Sequence, residues 1–322
     1  MPLTITTVTL NPSLDEWVYL PRVALGRLNR ATRFVRYPGG KGINVSRVVR
    51  ELRVKTLALA LAGGDDGRLL SHLLTQGRIP HEFVIVPGST RNNYAIQTEH
   101  PRALTQINCP GPRVSAGLLR RLTQRLCRRL GDCVVFSGSL PPGAPSTTYS
   151  RLIHAVKREG MLTVLDTSGP ALRQGLAAAP WLIKPNREEA ESLLGKRLRR
   201  RAHIAKAAKH LTTRGPHHVL ISLGAAGAVL ASQAYPEVLW AEAPAVRVDS
   251  AVGAGDSLVA GFVVGWLRPH VGPSGWSIRR AGEALRLGVA CGTACAMTPG
   301  TELCHRRDVL RLLPRIRIRT IG

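Results

Sequence analysis

The segment Val252-Gly253-Ala254-Gly255-Asp256-Ser257 decides the fold, because an apolar run with helical spacing follows it at 258–267. That run predicts a helix whose free backbone N–H groups face the glycine-rich turn. Small residues allow an anion to approach the backbone closely, and the Asp256 carboxylate is suited to accept a proton from an attacking hydroxyl. The segment therefore favours a phosphoryl-transfer site. The alternative is a tight turn in which Asp256 only complements the helix dipole.

Apolar runs rich in β-forming residues alternate with helical patterns through most of the chain. This alternation predicts an α/β fold with a mostly parallel sheet flanked by helices. The predicted strands are 5–10, 56–61, 82–86, 133–137, 162–166, 181–184, 218–223, 228–232, 237–242 and 245–248. The predicted helices are 43–52, 68–75, 116–130, 147–157, 187–194, 202–211, 258–267 and 277–297.

Two polar, β-like segments, at about 14–37 and 90–108, do not fit this alternation. No predicted helices flank their strands, so we expect them to project from the main sheet as a small β-sheet lid. The length of 322 residues suits one compact domain, and we find no repeat or low-complexity linker. The chain is therefore expected to form a single domain over residues 1–322, with the lid inserted into it.

Composition restricts the class of protein further. No apolar stretch reaches the roughly 20 residues that span a bilayer. Polar and apolar residues alternate at the start of the chain as in a strand, whereas an export signal would have a basic region followed by a long apolar core. The six cysteines form no Cys-x-x-Cys pair, so neither a metal framework nor a disulfide framework is expected. We interpret the chain as a protein of the reducing cytoplasm with no membrane partner.

The formal net charge of +25 would suit a nucleic-acid partner. The basic residues, however, are spread over most predicted helices, and no stacking aromatic residues accompany the densest clusters. No helix-turn-helix or RNA-recognition pattern is present either. We therefore expect no nucleic-acid partner.

Further motifs follow the predicted strands, where open α/β sheets bind ligands. They are Asn11-Pro12-Ser13-Leu14-Asp15, Pro38-Gly39-Gly40-Lys41-Gly42-Ile43-Asn44, Thr90-Arg91-Asn92-Asn93, Ser137-Gly138-Ser139, Lys184-Pro185-Asn186-Arg187-Glu188-Glu189 and Ser222-Leu223-Gly224-Ala225-Ala226-Gly227. Taken singly, each has an ordinary structural explanation as a turn, a helix cap or a solvated charge. A P-loop and a dinucleotide-binding fingerprint are both missing from the sequence, so phosphate must be bound by other segments.

In this order the motifs closely resemble the phosphofructokinase-B group of ribokinase-like sugar kinases. The resemblance runs from about Thr7 to about Pro299 and is strongest to the 1-phosphofructokinase and tagatose-6-phosphate kinase branch. It implies a ribokinase-like kinase domain, ATP and Mg²⁺ as cofactors, a sugar phosphate as the second substrate, and a homodimer formed through the lid.

The resemblance also implies roles for individual residues. Asp256 would be the catalytic base, with Gly253, Ala254 and Gly255 as the anion hole. The sugar-phosphate side would comprise Asp15, Gly39, Gly40, Lys41, Asn44, Arg91, Asn93 and Ser139, joined from the lid by Arg27. The nucleotide side would comprise Lys184, Asn186, Ser222, Gly224 and Gly227, and Glu189 would organise Mg²⁺.

Two features depart from the family pattern. Gln106 stands where relatives often carry an acidic residue, which leaves the substrate preference open. A basic tail at 315–319 follows the last helix, and the sequence assigns it no role.

The resemblance leaves three candidate functions. The first is a kinase for fructose 1-phosphate, fructose 6-phosphate or tagatose 6-phosphate. The second is a kinase for a neutral sugar or nucleoside, which two lid arginines disfavour because they suit a phosphate dianion. The third is an inactive relative that binds nucleic acid. For the kinase, we expect Asp256 to be ionised at neutral pH, and Mg²⁺ to be held mainly by water and phosphate oxygens.

Overall fold

The computed structural model describes residues 3–129, 131–268 and 278–321. Its strands are β1 (Thr4–Thr9), β2 (Ser13–Leu20), β3 (Arg33–Gly39), β4 (Lys55–Ala62), β5 (His81–Ile85), β6 (Arg91–Glu99), β7 (Arg102–Asn108), β8 (Cys133–Ser137), β9 (Leu162–Asp166), β10 (Leu182–Ile183), β11 (His218–Ser222), β12 (Ala228–Ser232), β13 (Val238–Glu242) and β14 (Arg317–Ile321). Its helices are α1 (Lys41–Glu51), α2 (Gly64–Gln76), α3 (Ala116–Cys127), α4 (Thr148–Lys157), α5 (Gly169–Leu176), α6 (Arg187–Leu194), α7 (Arg201–Thr212), α8 (Ala254–Leu267), α9 (Ile278–Ala296) and α10 (Arg306–Leu312).

The main sheet has the strand order β14-β13-β12-β11-β10-β9-β8-β1-β4-β5. Its strands from β11 to β5 in this order are parallel, and β12, β13 and β14 continue it in antiparallel fashion. Helices α1, α8, α9 and α10 contribute to the apolar core on one face, and α3 to α7 to the core on the other. The predicted α/β architecture, with a mostly parallel sheet flanked by helices, is thus confirmed.

The second sheet is small, with the order β3-β2-β6-β7, and lies within the segments predicted to form a lid. We call it the small sheet. Strand β6 runs parallel to β2, whereas β3 and β7 pair in antiparallel fashion with their neighbours. Because side chains alternate between the faces of a strand, Asp15, Trp17, Asn93 and Gln106 lie on one face of the small sheet.

Four elements differ from the sequence-based predictions. The predicted strand at 245–248 is irregular, since Pro244 cannot donate a ladder hydrogen bond and the segment lines a cleft. Helix α5 was missed because its Gly-Pro start reads as a turn, although proline suits the first helical turn. Helix α10 was also missed. From Arg317 onward the basic tail belongs to β14, because its alternation of arginine and isoleucine suits a strand.

Two predicted helix ends fall on residues that the model does not describe. The predicted start at 277 and the predicted end at 130 both lie outside the described residues. Among the described helices, none is long and apolar enough to cross a bilayer.

Candidate active site

A cleft of about 1290 Å³ lies between the carboxyl ends of the parallel strands and the small sheet. Most of the residues that the sequence singled out come together here. Those that line it are Asp15, Gly40, Lys41, Asn44, Arg91, Asn93, Ser139, Lys184, Asn186, Ser222, Gly224, Gly227, Gly253, Ala254, Gly255 and Asp256. Gly39, Glu189 and Arg27 are not among the cleft-lining residues.

The glycine-rich turn begins α8 as predicted. Gly253 caps the helix with φ of 83°, a left-handed conformation that suits glycine. The N–H of Ala254 donates to the carbonyl of Ala251, and that of Ser257 donates to the carbonyl of Gly253. The N–H groups of Gly255 and Asp256 lie between these two, in the first turn, where a helix supplies no acceptor. This turn, residues 253–256, therefore offers two backbone donors to an anion in the cleft, and we call it the anion turn.

Asp256 is almost completely buried at this helix start, with only 5% of its surface exposed. Asn44, from α1, donates a hydrogen bond from Nδ2 to Asp256 Oδ2 at 2.9 Å. Burial raises the pKa of Asp256 to about 7, against the opposing influence of Lys41. The expectation of a carboxylate that is always ionised at neutral pH was therefore wrong, because loss of hydration outweighs the helix dipole.

Asp166, at the end of β9, is a site residue that the sequence analysis missed. Its Oδ1 atom lies 3.2 Å from Lys184 Nζ and 3.7 Å from Lys41 Nζ, and its carboxylate is fully buried. Burial opposes ionisation, but Lys184 and Lys41 outweigh it and hold the pKa of Asp166 below its usual range. The available signal was an acidic residue ending an otherwise apolar parallel strand.

Lys41 is the more exposed of these two lysines, and its side chain faces the cleft. The Asp166 carboxylate raises the pKa of Lys41 above its ordinary value, so this ammonium stays charged at neutral pH. Lys184 lies close to Gly255, since a Cβ built on that glycine would be 3.5 Å from Lys184 Nζ. The two lysines thus bring positive charge to the cleft beside α8.

Asp15 lies on the face of the small sheet that covers the cleft. It accepts hydrogen bonds from Ser13 Oγ at 2.8 Å and from Asn93 Nδ2 at 3.3 Å. Burial raises its pKa above the ordinary value despite these bonds. A Cβ on Gly39 would overlap the Asp15 carboxylate, so Gly39 leaves room for this side chain without itself lining the cleft.

Arg91 starts β6 of the small sheet and contacts the segments that follow β1 and β7. Its guanidinium donates to the backbone carbonyls of Cys109 at 3.0 Å and Asn11 at 3.1 Å. Asn11 in turn donates from Nδ2 to Ser139 Oγ at 3.1 Å. Arg91 therefore lines the cleft and also cross-links three segments at the base of the small sheet.

The predicted nucleotide loop lies between β11 and β12. Its residues Gly224–Ala226 form one short turn of helix, and Gly227 has φ of 91°. A Cβ on Gly227 would collide with the backbone carbonyl of Ala241, so only glycine fits there without displacement. Ser222 bridges to Asn186, which connects this loop to the start of α6.

Asn186 and Glu189 form a reciprocal capping box at the start of α6. Asn186 Oδ1 accepts from the Glu189 N–H at 2.7 Å, and Glu189 Oε2 accepts from the Asn186 N–H at 2.8 Å. Each side chain therefore has a structural partner in the helix cap. Across the described residues, no group of three His, Cys, Asp or Glu side chains forms a metal cage.

Arg27 lies in the exposed connection between β2 and β3, away from the cleft-lining residues. Its assignment to the sugar-phosphate side stays a prediction for this chain. The roles of the other predicted site residues also stay predictions, although most of them share one cleft.

The chain matches the model of the pfkB family carbohydrate kinases over residues 8–307. This match covers nearly the whole molecule. The chain belongs to the pfkB family. The sequence-based resemblance is thereby confirmed, and the protein is a kinase that transfers phosphate to a hydroxyl group, with ATP as the substrate used by this family.

Individual relatives agree with this assignment. The chain is 35% identical over 315 residues to the 1-phosphofructokinase of Bacillus subtilis, covering 98% of this chain and 99% of the relative. Phosphofructokinase-2 from Escherichia coli, in complex with fructose-6-phosphate, superposes with a TM-score of 0.87 at 30% identity over 97% of this chain and 99% of that one. Arabidopsis thaliana ribokinase, at 22% identity, a TM-score of 0.77 and coverage of 97% and 99%, shares the fold.

Proposed function

We propose that this chain is an ATP-dependent kinase that converts fructose 1-phosphate to fructose 1,6-bisphosphate. The observation that carries the proposal is the buried Asp256 carboxylate at the open start of α8, facing a cleft that also holds Lys41 and Lys184. The name of the Bacillus subtilis relative supports fructose 1-phosphate as the acceptor. The fructose-6-phosphate bound by the Escherichia coli enzyme makes that sugar the second candidate. Tagatose 6-phosphate is the third.

The reaction forms a bond between the sugar hydroxyl oxygen and the γ-phosphorus of ATP, and it breaks the bond from that phosphorus to the bridging oxygen of ADP. Asp256 accepts the hydroxyl proton as the new bond forms. Negative charge on the transferred group faces the N–H groups of Gly255 and Asp256 and the two lysine ammonium groups. Because such transition states are loose, positioning and charge stabilisation supply most of the catalysis.

Mg²⁺ supplies charge neutralisation on the ATP phosphates in this proposal. The capping box holds one oxygen of Glu189 and the side-chain oxygen of Asn186. Direct ligation through these atoms would break the start of α6, so we expect Glu189 to bind water molecules of the hydrated ion. Such indirect ligation is common for Mg²⁺, which loses its water reluctantly.

The acceptor phosphate is expected near Arg91, with Arg27 joining it if the β2–β3 connection closes. A guanidinium forms paired, charge-assisted hydrogen bonds with a phosphate, whereas a neutral sugar gains little from it. This difference favours a phosphorylated acceptor over a free sugar or nucleoside. Asp15, on β2, and Asn93, on β6, would bind acceptor hydroxyl groups.

We also propose a homodimer formed through the outer face of the small sheet, in the cytoplasm. That face carries the exposed side chains of Phe34, Tyr94 and Ile107, and β3 and β7 are the edges of the small sheet within the part of the chain that the structure describes. Exposed apolar faces and open edges are features that proteins cover by association.

Coupled ADP release tests the function with purified protein, ATP, Mg²⁺ and a panel of acceptors. The panel contains fructose 1-phosphate, fructose 6-phosphate, tagatose 6-phosphate, fructose and ribose. We expect the highest kcat/KM with fructose 1-phosphate and the lowest with the unphosphorylated sugars. Preference for fructose or ribose would overturn the proposal. A filter-binding salt series provides the test of the nucleic-acid alternative, since binding to DNA weakens steeply with salt.

A further inference from the structure

Arg102 lies at the tip of the small sheet. It is the first residue of β7, just after the turn from β6, and so lies at the opposite end of this hairpin from Asn93 and Asn108. Asp249 belongs to the body of the protein, in the segment between β13 and α8. Val248, just before it, and Ala251, two residues after it, line the cleft.

The side chains of Arg102 and Asp249 form an ion pair between the small sheet and the body of the protein. Arg102 Nη2 lies 2.5 Å from Asp249 Oδ1 and also donates to the Asp249 backbone carbonyl at 3.3 Å. The N–H of Asp249 donates to the carbonyl of Ala296 at 2.8 Å, which fixes Asp249 to the end of α9. The Arg102 guanidinium therefore binds a residue whose backbone is itself fixed to the body of the protein.

Among the ion pairs formed by the described residues, the pair of Arg102 and Asp249 is the only one that joins a strand of the small sheet to the main body of the protein. The other pair involving small-sheet strands, Arg36 with Glu16, lies within that sheet. At the base, Arg91 and Trp17 connect the sheet to the body through hydrogen bonds with neutral groups. Arg102 and Asp249 are about half exposed, at 49% and 44%, so water can compete for them.

The segment after Asp249 leads directly into the anion turn. Ser250 Oγ accepts the N–H of Val252 at 3.3 Å, and the thiol of Cys295 donates to the Val252 carbonyl at 3.4 Å. Gly253 follows at once. The position of Asp249 therefore affects, over only a few residues, the position of the backbone that faces the transferred phosphate.

We propose that Arg102 and Asp249 are positioning residues. Their ion pair, which we call the latch, holds the small sheet across the cleft and fixes the position of the anion turn relative to the small sheet. The latch rests on the proposed kinase function for its effect on turnover, but its effect on the small sheet is independent of any substrate. Since an ion pair of this exposure contributes little, the latch opens readily and permits substrate entry.

The test uses Arg102→Ala, Asp249→Ala, the double variant and the charge swap Arg102→Asp with Asp249→Arg. Hydrogen exchange of the ligand-free protein is compared in β6 and β7 and, as a reference, in β1. The matched control is Arg68→Ala, which breaks an exposed ion pair with Asp65 on α2, away from the cleft. We expect about 2- to 5-fold faster exchange in β6 and β7 for both single variants, no further increase in the double variant, and partial recovery in the swap.

Unchanged exchange in the single variants, or additive effects in the double variant, would overturn the latch. Salt of about 1 M should bring the wild type close to the variants, because it screens the pair. On an active enzyme, the single variants should raise KM for the acceptor about 2- to 5-fold and lower kcat by at most a similar factor, and the swap should recover part of both losses. A loss confined to kcat would contradict a positioning role. If no acceptor in the panel is turned over, the kinase proposal fails while the exchange result still decides the latch.

Discussion

Glu189 is the residue for which structure and expected chemistry compete most directly. Its Oε2 atom caps α6, and the same side chain is the one expected to organise Mg²⁺. The substitution Glu189→Gln separates the two roles, because glutamine keeps the capping bond and loses the charge. We expect a several-fold higher Mg²⁺ concentration for half-maximal rate, with little change in thermal stability.

Glu189→Ala is the matched comparison, since it removes both the charge and the cap. It should lower the free energy of unfolding by about 0.5–2 kcal/mol in addition to changing the Mg²⁺ requirement. Mg²⁺ titrations of the rate and urea unfolding curves measure the two effects. If Glu189→Gln keeps the wild-type Mg²⁺ dependence, the residue is a cap alone.

Arg91 provides the residue-scale test for a phosphorylated acceptor. Charge-assisted hydrogen bonds to a phosphate contribute about 1.5–3 kcal/mol, so Arg91→Ala should weaken binding of the sugar phosphate by roughly 10- to 150-fold. ATP affinity should be retained, and any activity on free fructose should be nearly unaffected. Steady-state kinetics on both sugars make the comparison internal, and equal losses on both would favour the neutral-sugar reading.

The same arginine also shows a limit of the sequence prediction. Its contacts to the carbonyls of Cys109 and Asn11 make it a structural cross-link as well as a cleft residue. A motif reveals the type of residue at a strand end, but the cross-link depends on loops that meet only in the fold. Asp166 was missed for a similar reason, because its two lysine partners come from distant motifs.

At the scale of elements, β14 closes the antiparallel end of the main sheet. Its Ile318 and Ile321 pack against the cores on opposite faces, while Arg317 and Arg319 are exposed. Arg319 Nε lies 3.3 Å from Glu242 Oε1, on the neighbouring strand. The strand thus contributes apolar burial on both faces and places charge on an edge, which discourages pairing with other chains.

Removal of residues 317–322 should lower the free energy of unfolding by roughly 2–4 kcal/mol, because two partly buried isoleucines are lost and β13 becomes an edge. Urea unfolding measures the loss, and light scattering should reveal association through the bare edge. The control, Arg317→Ser with Arg319→Ser, keeps the strand and should change stability by less than about 0.5 kcal/mol. Equal stability of the truncated and full chains would contradict this account of β14.

The elements recovered from sequence are those with a strong period. The bounds of the buried strands of the main sheet and of the amphipathic helices that flank it were predicted within a few residues, because burial imposes a periodic pattern of apolar residues on them. By contrast, α5 begins with Gly-Pro and β14 is rich in arginine, so their local signals resemble a turn and a solvated tail. Their structure depends on packing against neighbours, which the local sequence does not encode.

At the scale of the whole molecule, the outer face of the small sheet makes a testable prediction of assembly. Ile107 is 48% exposed on that face. We expect sedimentation velocity to give a dimer for the wild type and a shift toward monomer for Ile107→Asp, since a buried unpaired carboxylate is costly. The control is Leu310→Asp on α10, which should leave the assembly unchanged. A wild-type monomer at micromolar concentration would contradict the dimer.

The large positive charge of the molecule is consistent with this account without defining a partner. The formal net charge of +25 favours anionic substrates in general. Among the described residues, the arginines that line the cleft are Arg91 and Arg187, so most of the charge lies elsewhere on the molecule.

In the proposed reaction Asp256 accepts the proton of the attacking hydroxyl, and the raised pKa of Asp256 makes the pH dependence of the rate a direct test of this role. Only the ionised carboxylate accepts a proton, so kcat/KM for the sugar phosphate should rise with pH and level off above about 7. Below that pH it should fall about tenfold per unit. Asp256→Asn should lower kcat about 10²- to 10⁴-fold, abolish this inflection and leave ATP binding nearly unchanged. Near-native turnover in Asp256→Asn, or a wild-type profile that is flat between pH 6 and 8, would contradict the account.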